Sequence, residues 1–473
     1  MSRLILFIVS LAYLSLGTLG QARAQSGHSP SAKSLGRALQ LARAHRYVEA
    51  SAAIRGVAAP EDRTQRIAFF RLRASIESGL GHSAAAATDM EAAAKLAPEN
   101  VELRVAANLA RLAVQLESRV NPASTLQTLR GFTLPTDRLL ELRSRTAEML
   151  SRANLYGEAA KDFEEASRLA PDRADILFNL ALARYRNGEW DASLESAQKA
   201  KALEDSGPLE SLLGDLQEKH GDPLAAVHSY QAAVALEPNV QEHRLALARE
   251  LLKHQTFDAA ILVLEQAVAL FPQSTRVKLL LGLSYYLVDR SADSIRALLG
   301  AAKLDPKDEL AAHYLGEITL QDSAEPSPAA VAQICAFADA HPSSKSASAL
   351  CGGVLLRVSE ESGDMSHKPE ILRRLQQAVR IAPQEPVARC QLGKAFDWSK
   401  QWQEARAQLE KCVRLEPDSP ESHYRLARVY RRLGLSSLAA EQTALQQEAA
   451  QRQNEESTRR TNTVTRFLVL FDD

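Results

Sequence analysis

VALEP at 234–238, VALFP at 268–272 and AKLDP at 302–306 are one phrase at a fixed period, with Pro238, Pro272 and Pro306 lying 34 residues apart. VRIAP (379–383) and VRLEP (413–417) repeat it at the same spacing, and KLAP and RLAP close at Pro98 and Pro171. Between the prolines, small residues recur at offsets of 12 and then 7. Ala147/Ala159/Ala166, Gly214/Ala226/Ala233, Ala248/Ala260/Ala267, Gly282/Ser294/Ala301 and Gly393/Ala405/Cys412 are five such triples. Antiparallel helices approach closely only where side chains are small, because bulk at the crossing holds the backbones apart. Large neighbours one position away then fill the space beside the crossing, as in Leu213-Gly214, Leu247-Ala248, Leu281-Gly282, Leu315-Gly316 and Leu392-Gly393. Gly81, Gly188, Gly221 and Gly434 supply a left-handed cap between paired helices. Tyr156, Trp190, Phe257 and Trp402 pack near the same turn, and the closing proline stops the second helix. A period of this length marks an array of helix pairs rather than one closed core.

These residues resemble the tetratricopeptide-repeat (TPR) family, and the resemblance spans nearly all of the chain after its first 33 residues. It implies an all-α, right-handed α-solenoid, a superhelix of about twelve antiparallel helix-pair units. Their starts fall near residues 34, 67, 101, 140, 174, 207, 241, 275, 309, 345, 386 and 420. Other helical-hairpin repeats, sel1-like ones included, fit the spacing poorly. The third unit (101 to about 137) is divergent with a short second helix. The ninth and tenth carry insertions around Asp322–Ser327 and Ser362–Lys368. A shortened first unit and a polar final helix, roughly Leu438–Arg459, read as caps.

At 473 residues the chain is long enough for about three ordinary domains or one extended array. It is 45% hydrophobic and only 5% aromatic, and its 57 basic and 58 acidic side chains nearly cancel. With a pI near 6.9 there is no global basic field, so nucleic acid is not an expected partner. Residues 1–24 read as a secretory signal peptide: Arg3, an apolar run from Leu4 to Leu19, and an A-x-A site that places cleavage between Ala24 and Gln25. Residues 25–33 read as a disordered linker. N-terminal TPR units then occupy 34–137, the central array 138–342, and the C-terminal units with their capping helix 343–460. The segment 461–473 is an apolar, β-prone tail that docks back, adds to a partner as a strand, or touches a membrane. An uncleaved leader would likewise bring the chain to a membrane.

In this family the first helices line the concave face, and that groove holds a partner protein or peptide. Carried onto matching positions, the resemblance assigns the groove Phe178, Leu182, Tyr185 and Arg186, then Leu279, Leu283 and Tyr286. It also assigns Lys394, Trp398, Tyr424, Arg428, Arg431 and Arg432. The last group looks basic and aromatic, fit for a carboxylate, phosphate or acidic peptide; ordinary solvated or packing roles fit the same residues. Glu141, Glu148, Asp215, Glu218 and Glu317 make other stretches acidic. The Lys/Asn/Arg clamp for terminal carboxylates is not reproduced, so heat-shock chaperone binding is not expected.

Four cysteines, Cys335, Cys351, Cys390 and Cys412, allow three pairings. Cys335–Cys351 and Cys390–Cys412 join helices that the repeat brings together, each closing a loop of about 15–25 residues worth roughly 3 kcal/mol. Four buried thiols are the alternative. No C-x-x-C or paired histidine spacing marks a metal site, no cofactor is expected, and the common catalytic motifs are missing. The expectation is therefore a non-catalytic, exported scaffold (periplasmic or secreted) for protein or peptide binding, with cell-envelope assembly as a candidate setting. A membrane-tethered adaptor and an accessory glycan-binding or enzyme-regulating subunit are its alternatives. Oligomeric state does not follow from these residues.

Overall fold

The computed structural model describes residues 30–321 and 326–455. The signal-peptide and cleavage-site readings, most of the first insertion and the apolar tail lie outside the described residues. Among the described residues there are twenty-four α-helices and no strand. They fall into two compact units, one ending at Asp205 and the other beginning at Ser206.

The first unit holds five helix pairs: α1 (Pro30–Arg43) with α2 (Tyr47–Ile54), α3 (Arg63–Leu80) with α4 (Ser83–Leu96), α5 (Val101–Glu117) with α6 (Ala123–Arg130), α7 (Thr136–Arg152) with α8 (Tyr156–Leu169), and α9 (Ala174–Arg186) with α10 (Trp190–Leu203). The second holds seven. These are α11 (Gly207–Lys219) with α12 (Pro223–Leu236), α13 (Gln241–Lys253) with α14 (Phe257–Leu270), α15 (Thr275–Leu287) with α16 (Ser291–Leu304), and α17 (Glu309–Gln321) with α18 (Pro328–Ala340). Then follow α19 (Ala347–Ser362) with α20 (Lys368–Ile381), α21 (Pro386–Trp398) with α22 (Trp402–Leu415), and α23 (Pro420–Arg432) with α24 (Ser436–Glu455). Each unit is thus a solenoid of stacked helix pairs. Residues 30–33, read above as linker, are instead the first turn of α1, because Pro30 sits where a helix loses nothing by lacking an N–H.

The repeat phrase shapes the helices as expected. Second helices end two residues before Pro98, Pro171, Pro238, Pro272, Pro306, Pro383 and Pro417, and α18 ends in the same way before Pro342. Ala147, Ala159, Ala166, Ala226, Ala233, Ala248, Ala260, Ala267, Ser294, Ala301, Ala405 and Cys412 are all fully buried. At the helix crossings a side chain occupies the space a Cβ would take: Tyr230 beside Gly214, Leu298 beside Gly282, Leu409 beside Gly393.

This fixes the sign of a paired test in the second unit. A Cβ on Gly282 would stand 2.6 Å from Leu298 Cγ and 3.3 Å from its backbone nitrogen, whereas one on Gly300 meets only Lys278, at 3.4 Å from its Cδ. Gly282→Ala is expected to destabilise by about 1–3 kcal/mol through overpacking. Gly300→Ala, mid-helix with room, is expected to stabilise by about 0.5–1 kcal/mol. Urea midpoints of the two variants check this, and equal shifts would discard the crossing argument.

The turn joining each pair, where described, repeats in conformation more than in residue type. Gly81, Gly188, Gly221, Gly363 and Gly434 have φ between 72° and 89°, and His45, Arg119, Asn154, Gln255, Asp289 and Lys400 hold φ of 54–61° at the corresponding turns. At these turns other than Gly363, where the Asp364 amide donates to Ser362 Oγ instead, the next amide donates back to a carbonyl in the last turn, as from His82 to Glu77 and from Thr256 to Leu251, which is the Schellman closure of the first helix.

Two pairs depart from the pattern. α6 is eight residues long, as short as α2 of the shortened first pair, and its last carbonyls, on Leu129 and Arg130, accept hydrogen bonds from Arg143 of α7. In the ninth pair, Gly316 of α17 faces Leu350 of α19 at 3.0 Å rather than its own second helix.

Candidate interaction surface

The residues expected in the groove separate into three groups. On α9, Phe178, Leu182 and Tyr185 are half-buried and Arg186 is exposed. On α15, Leu279 and Leu283 are buried to 2% and 0%. They cannot face a partner: the neighbouring pairs enclose them in one core with Leu245, Leu251 and Ile318. Tyr286, one turn beyond, remains half-buried and donates its hydroxyl to Gln321 of α17.

The third group lies on α21 and α23. Tyr424 is 46% exposed, and Arg431 and Arg432 are exposed. Trp398 packs its ring against the core formed by Leu392, Phe396 and Leu426. The basic character expected here is largely cancelled from within. Lys394 Nζ stands 2.5 Å from Glu421, Arg428 pairs with the buried Asp397, and Arg425 bridges Glu421 and Glu360. Burial raises Glu421's carboxyl and the two cations beside it, Lys394 and Arg425, more than offset this, leaving it below the usual carboxylate range. Arg431 and Arg432 stay outside this ladder.

The acidic positions are also engaged. Tyr230 donates to Asp215 at 2.6 Å, Glu218 pairs with Lys253 at 3.4 Å, and Glu317 lies 3.4 Å from His313. The hydrogen bond to Glu317 raises the His313 imidazole above its ordinary value against the opposing effect of burial. In the first unit Glu141 pairs with Arg138 and Glu148 with Arg152.

The sulfurs of Cys335 and Cys351 are bonded, joining α18 to α19 across the boundary between pairs, with Cα atoms 4.8 Å apart. Cys390 and Cys412 are bonded within the α21/α22 pair, with Cα atoms 5.0 Å apart.

Two charged clusters escaped the sequence reading. Asp162 of α8 is buried between Arg130 and Arg143, which sit 2.6 and 3.4 Å away. Glu250 of α13, with 2% of its side chain exposed, lies beside Lys253, His254 and Glu218. An i, i+4 Glu-His step was the available signal, and it is too common on helix surfaces to single out. Burial holds the Glu250 carboxyl above the ordinary 4.5, Lys253 opposing and Glu218 adding to the effect. The folded state therefore keeps this proton to higher pH than the unfolded chain does. The associated stability is fully present below the unfolded value and is lost as pH rises through the folded one. Urea midpoints of native chain and Glu250→Gln, measured in chelator from about pH 4.5 upward, are expected to diverge with pH in favour of the glutamine. Parallel curves would mean that Glu250 titrates alike in both states.

The tetratricopeptide-repeat profile matches residues 147–208, 211–275, 245–309 and 390–454. Among solved structures, the chain is similar to YrrB, a TPR protein with an unusual peptide-binding site, at 20% identity over 38% of this chain and 97% of that one (TM-score 0.33). It is similar to the C-terminal part of a TPR protein from Cytophaga hutchinsonii at 16% identity, over 60% of this chain and 98% of that one (TM-score 0.42). A thermophilic TPR protein of Thermus thermophilus matches at 20% identity over 41% and 100% of the two chains (TM-score 0.33). No curated protein matches the sequence. With the profile matching in both units and the described helices arranged in successive pairs, the chain belongs to the tetratricopeptide-repeat family, whose arrays are scaffolds for protein–protein interaction.

Proposed function

We propose that this chain is an exported, non-catalytic scaffold that holds a partner protein or peptide on the first helices of its C-terminal pairs, in a cell-envelope or secreted assembly. The observation that carries this reading is α23, which keeps Tyr424, Arg431 and Arg432 exposed while the charges around them are neutralised. An exposed ring beside two guanidinium groups suits an acidic segment, since guanidinium binds carboxylate through two parallel hydrogen bonds and the ring covers apolar surface. Lys394 and Arg428 join only by exchanging Glu421 and Asp397 for a guest, so they favour carboxylate-rich partners without supplying net charge. Export is supported by the leader-like residues 1–24 and by two bonded cysteine pairs, a chemistry that persists in oxidising compartments.

Affinity capture from an envelope extract tests the reading, comparing the native chain with Tyr424→Ala/Arg431→Glu/Arg432→Glu. The variant is expected to lose its partner, and capture by the native chain to weaken with salt as exposed charges are screened. Equal recovery of every partner would remove the C-terminal surface from consideration. N-terminal sequencing of the mature protein is expected to begin at Gln25; an intact Met1 would refute export by a cleaved leader.

A further inference from the structure

Leu216, Glu250, Ser284 and Ile318 are spaced 34 residues apart, and each is the tenth residue of its first helix. Ala183, Ala395 and Val429 hold the same place in α9, α21 and α23. All of these are buried, and Glu250 alone among them is ionisable. A carboxylate at a core position is costly unless something there compensates it.

The surroundings of Glu250 point to what does. His254 lies one helical turn on, its Nε2 3.1 Å from Glu250 Oε1. That oxygen is buried and, apart from this contact with the imidazole, has no hydrogen-bond partner. Glu218, from the neighbouring α11, completes a set whose ligand atoms all lie within 4.8 Å of one another. Bonds of about 2.0–2.2 Å from a zinc ion to N and O donors place neighbouring ligand atoms roughly 3–3.5 Å apart. Glu250 and His254 already stand at that separation, and Glu218 reaches it by turning a half-buried side chain.

We propose that Glu218, Glu250 and His254 form a site for a divalent first-row cation of the Zn²⁺ class, with carboxylate, carboxylate and imidazole as ligands. Mixed N and O donors suit such ions over Ca²⁺ or Mg²⁺, which take oxygen ligands. Lys253 is the built-in competitor. Its ammonium stands 3.4 Å from Glu218 and 4.0 Å from Glu250, and its half-exposed stem lets it swing out when a metal enters.

Isothermal titration of the tag-free, chelator-treated chain with ZnCl₂ tests this. Native chain is expected to bind one equivalent saturably. His254→Ala, an exposed position that leaves folding intact, and the isosteric Glu250→Gln should each weaken that binding by at least the roughly 10–100-fold that loss of a mere outer-shell partner costs. Lys253→Met should strengthen it. Substitution of the exposed His228, outside the cluster, should leave it unchanged. Titration with MgCl₂ should give no saturable heat. The proposal is overturned if native chain and His254→Ala bind zinc equally, if His228→Ala abolishes the heat, or if Lys253→Met leaves affinity unaltered; the four residues would then be an ion-pair network alone.

Discussion

Asp162→Ala is expected to destabilise the first unit by about 3–5 kcal/mol, the cost of stranding a buried charge that has lost its partner. Asp162 is 1% exposed; Arg143 beside it is 8% exposed and Arg130 is partly so. Arg130 keeps the Glu158 carboxylate and carbonyl, so the charge left without a counter-ion is the buried Arg143, which is tied to the carbonyls of Leu129 and Arg130 and cannot turn out to water without breaking those bonds. The Asp162 carboxylate therefore holds the short α6 onto α7 and α8. Because repeat arrays gain stability from nearest neighbours, the damage should stay local. Urea unfolding should report the loss, and amide exchange should accelerate in α5 to α8 while α11 to α24 keep their protection. A variant replacing all three charges, Asp162→Leu with Arg130→Met and Arg143→Met, should recover part of the stability, since the penalty lies in the unpaired charge rather than in the missing attraction. Unchanged midpoints and exchange in Asp162→Ala would show that the cluster carries no structural role.

What the sequence made legible follows from range. A glycine at a crossing and a proline after a helix act on neighbours fixed by the period, so Gly282, Ala301 and Pro306 could be read directly. The left-handed turn was half legible: Gly188 announces it, whereas Gln255 and Asp289 adopt the same φ because the Schellman closure and the packed second helix impose it. The groove was harder. Position alone put Leu283 on the first-helix face, but whether that face is open depends on how closely the next pair approaches, and here α13 and α17 close over it. Charge was harder still. Arg428 is neutralised from 31 residues away by Asp397, and Arg425, besides Glu421 on its own helix, from 65 away by Glu360. Glu250 was invisible because glutamate is an ordinary helix residue, and only its burial makes it exceptional.

Removing the disulfides by Cys→Ala substitution is expected to cost about 3 kcal/mol for each, from the freedom returned to loops of 16 and 22 residues in the unfolded chain. Alanine is a suitable replacement. Cys412 already occupies a small-residue crossing position and is fully buried, so Cys390→Ala/Cys412→Ala cuts the link without widening the crossing. The two bonds should differ in where their loss is felt. Cys390–Cys412 staples two helices that the repeat already pairs, so its removal should lower the whole C-terminal end evenly. Cys335–Cys351 instead joins successive pairs at the place where α17 packs its glycine against α19 rather than α18. There the usual crossing does not hold the second helix, and the covalent link takes over part of its task. Cys335→Ala/Cys351→Ala should therefore raise amide exchange most in α17 and α18, leaving α21 to α23 protected. Reductant added to the native chain should reproduce both effects together, and midpoints insensitive to reductant would rule out a stabilising role for either bond. If the expected losses appear, a reducing compartment would deprive the second unit of roughly twice the single-bond amount. That links the stability of the pairs bearing Tyr424 and Arg431 to the oxidising environment in which the scaffold is proposed to work.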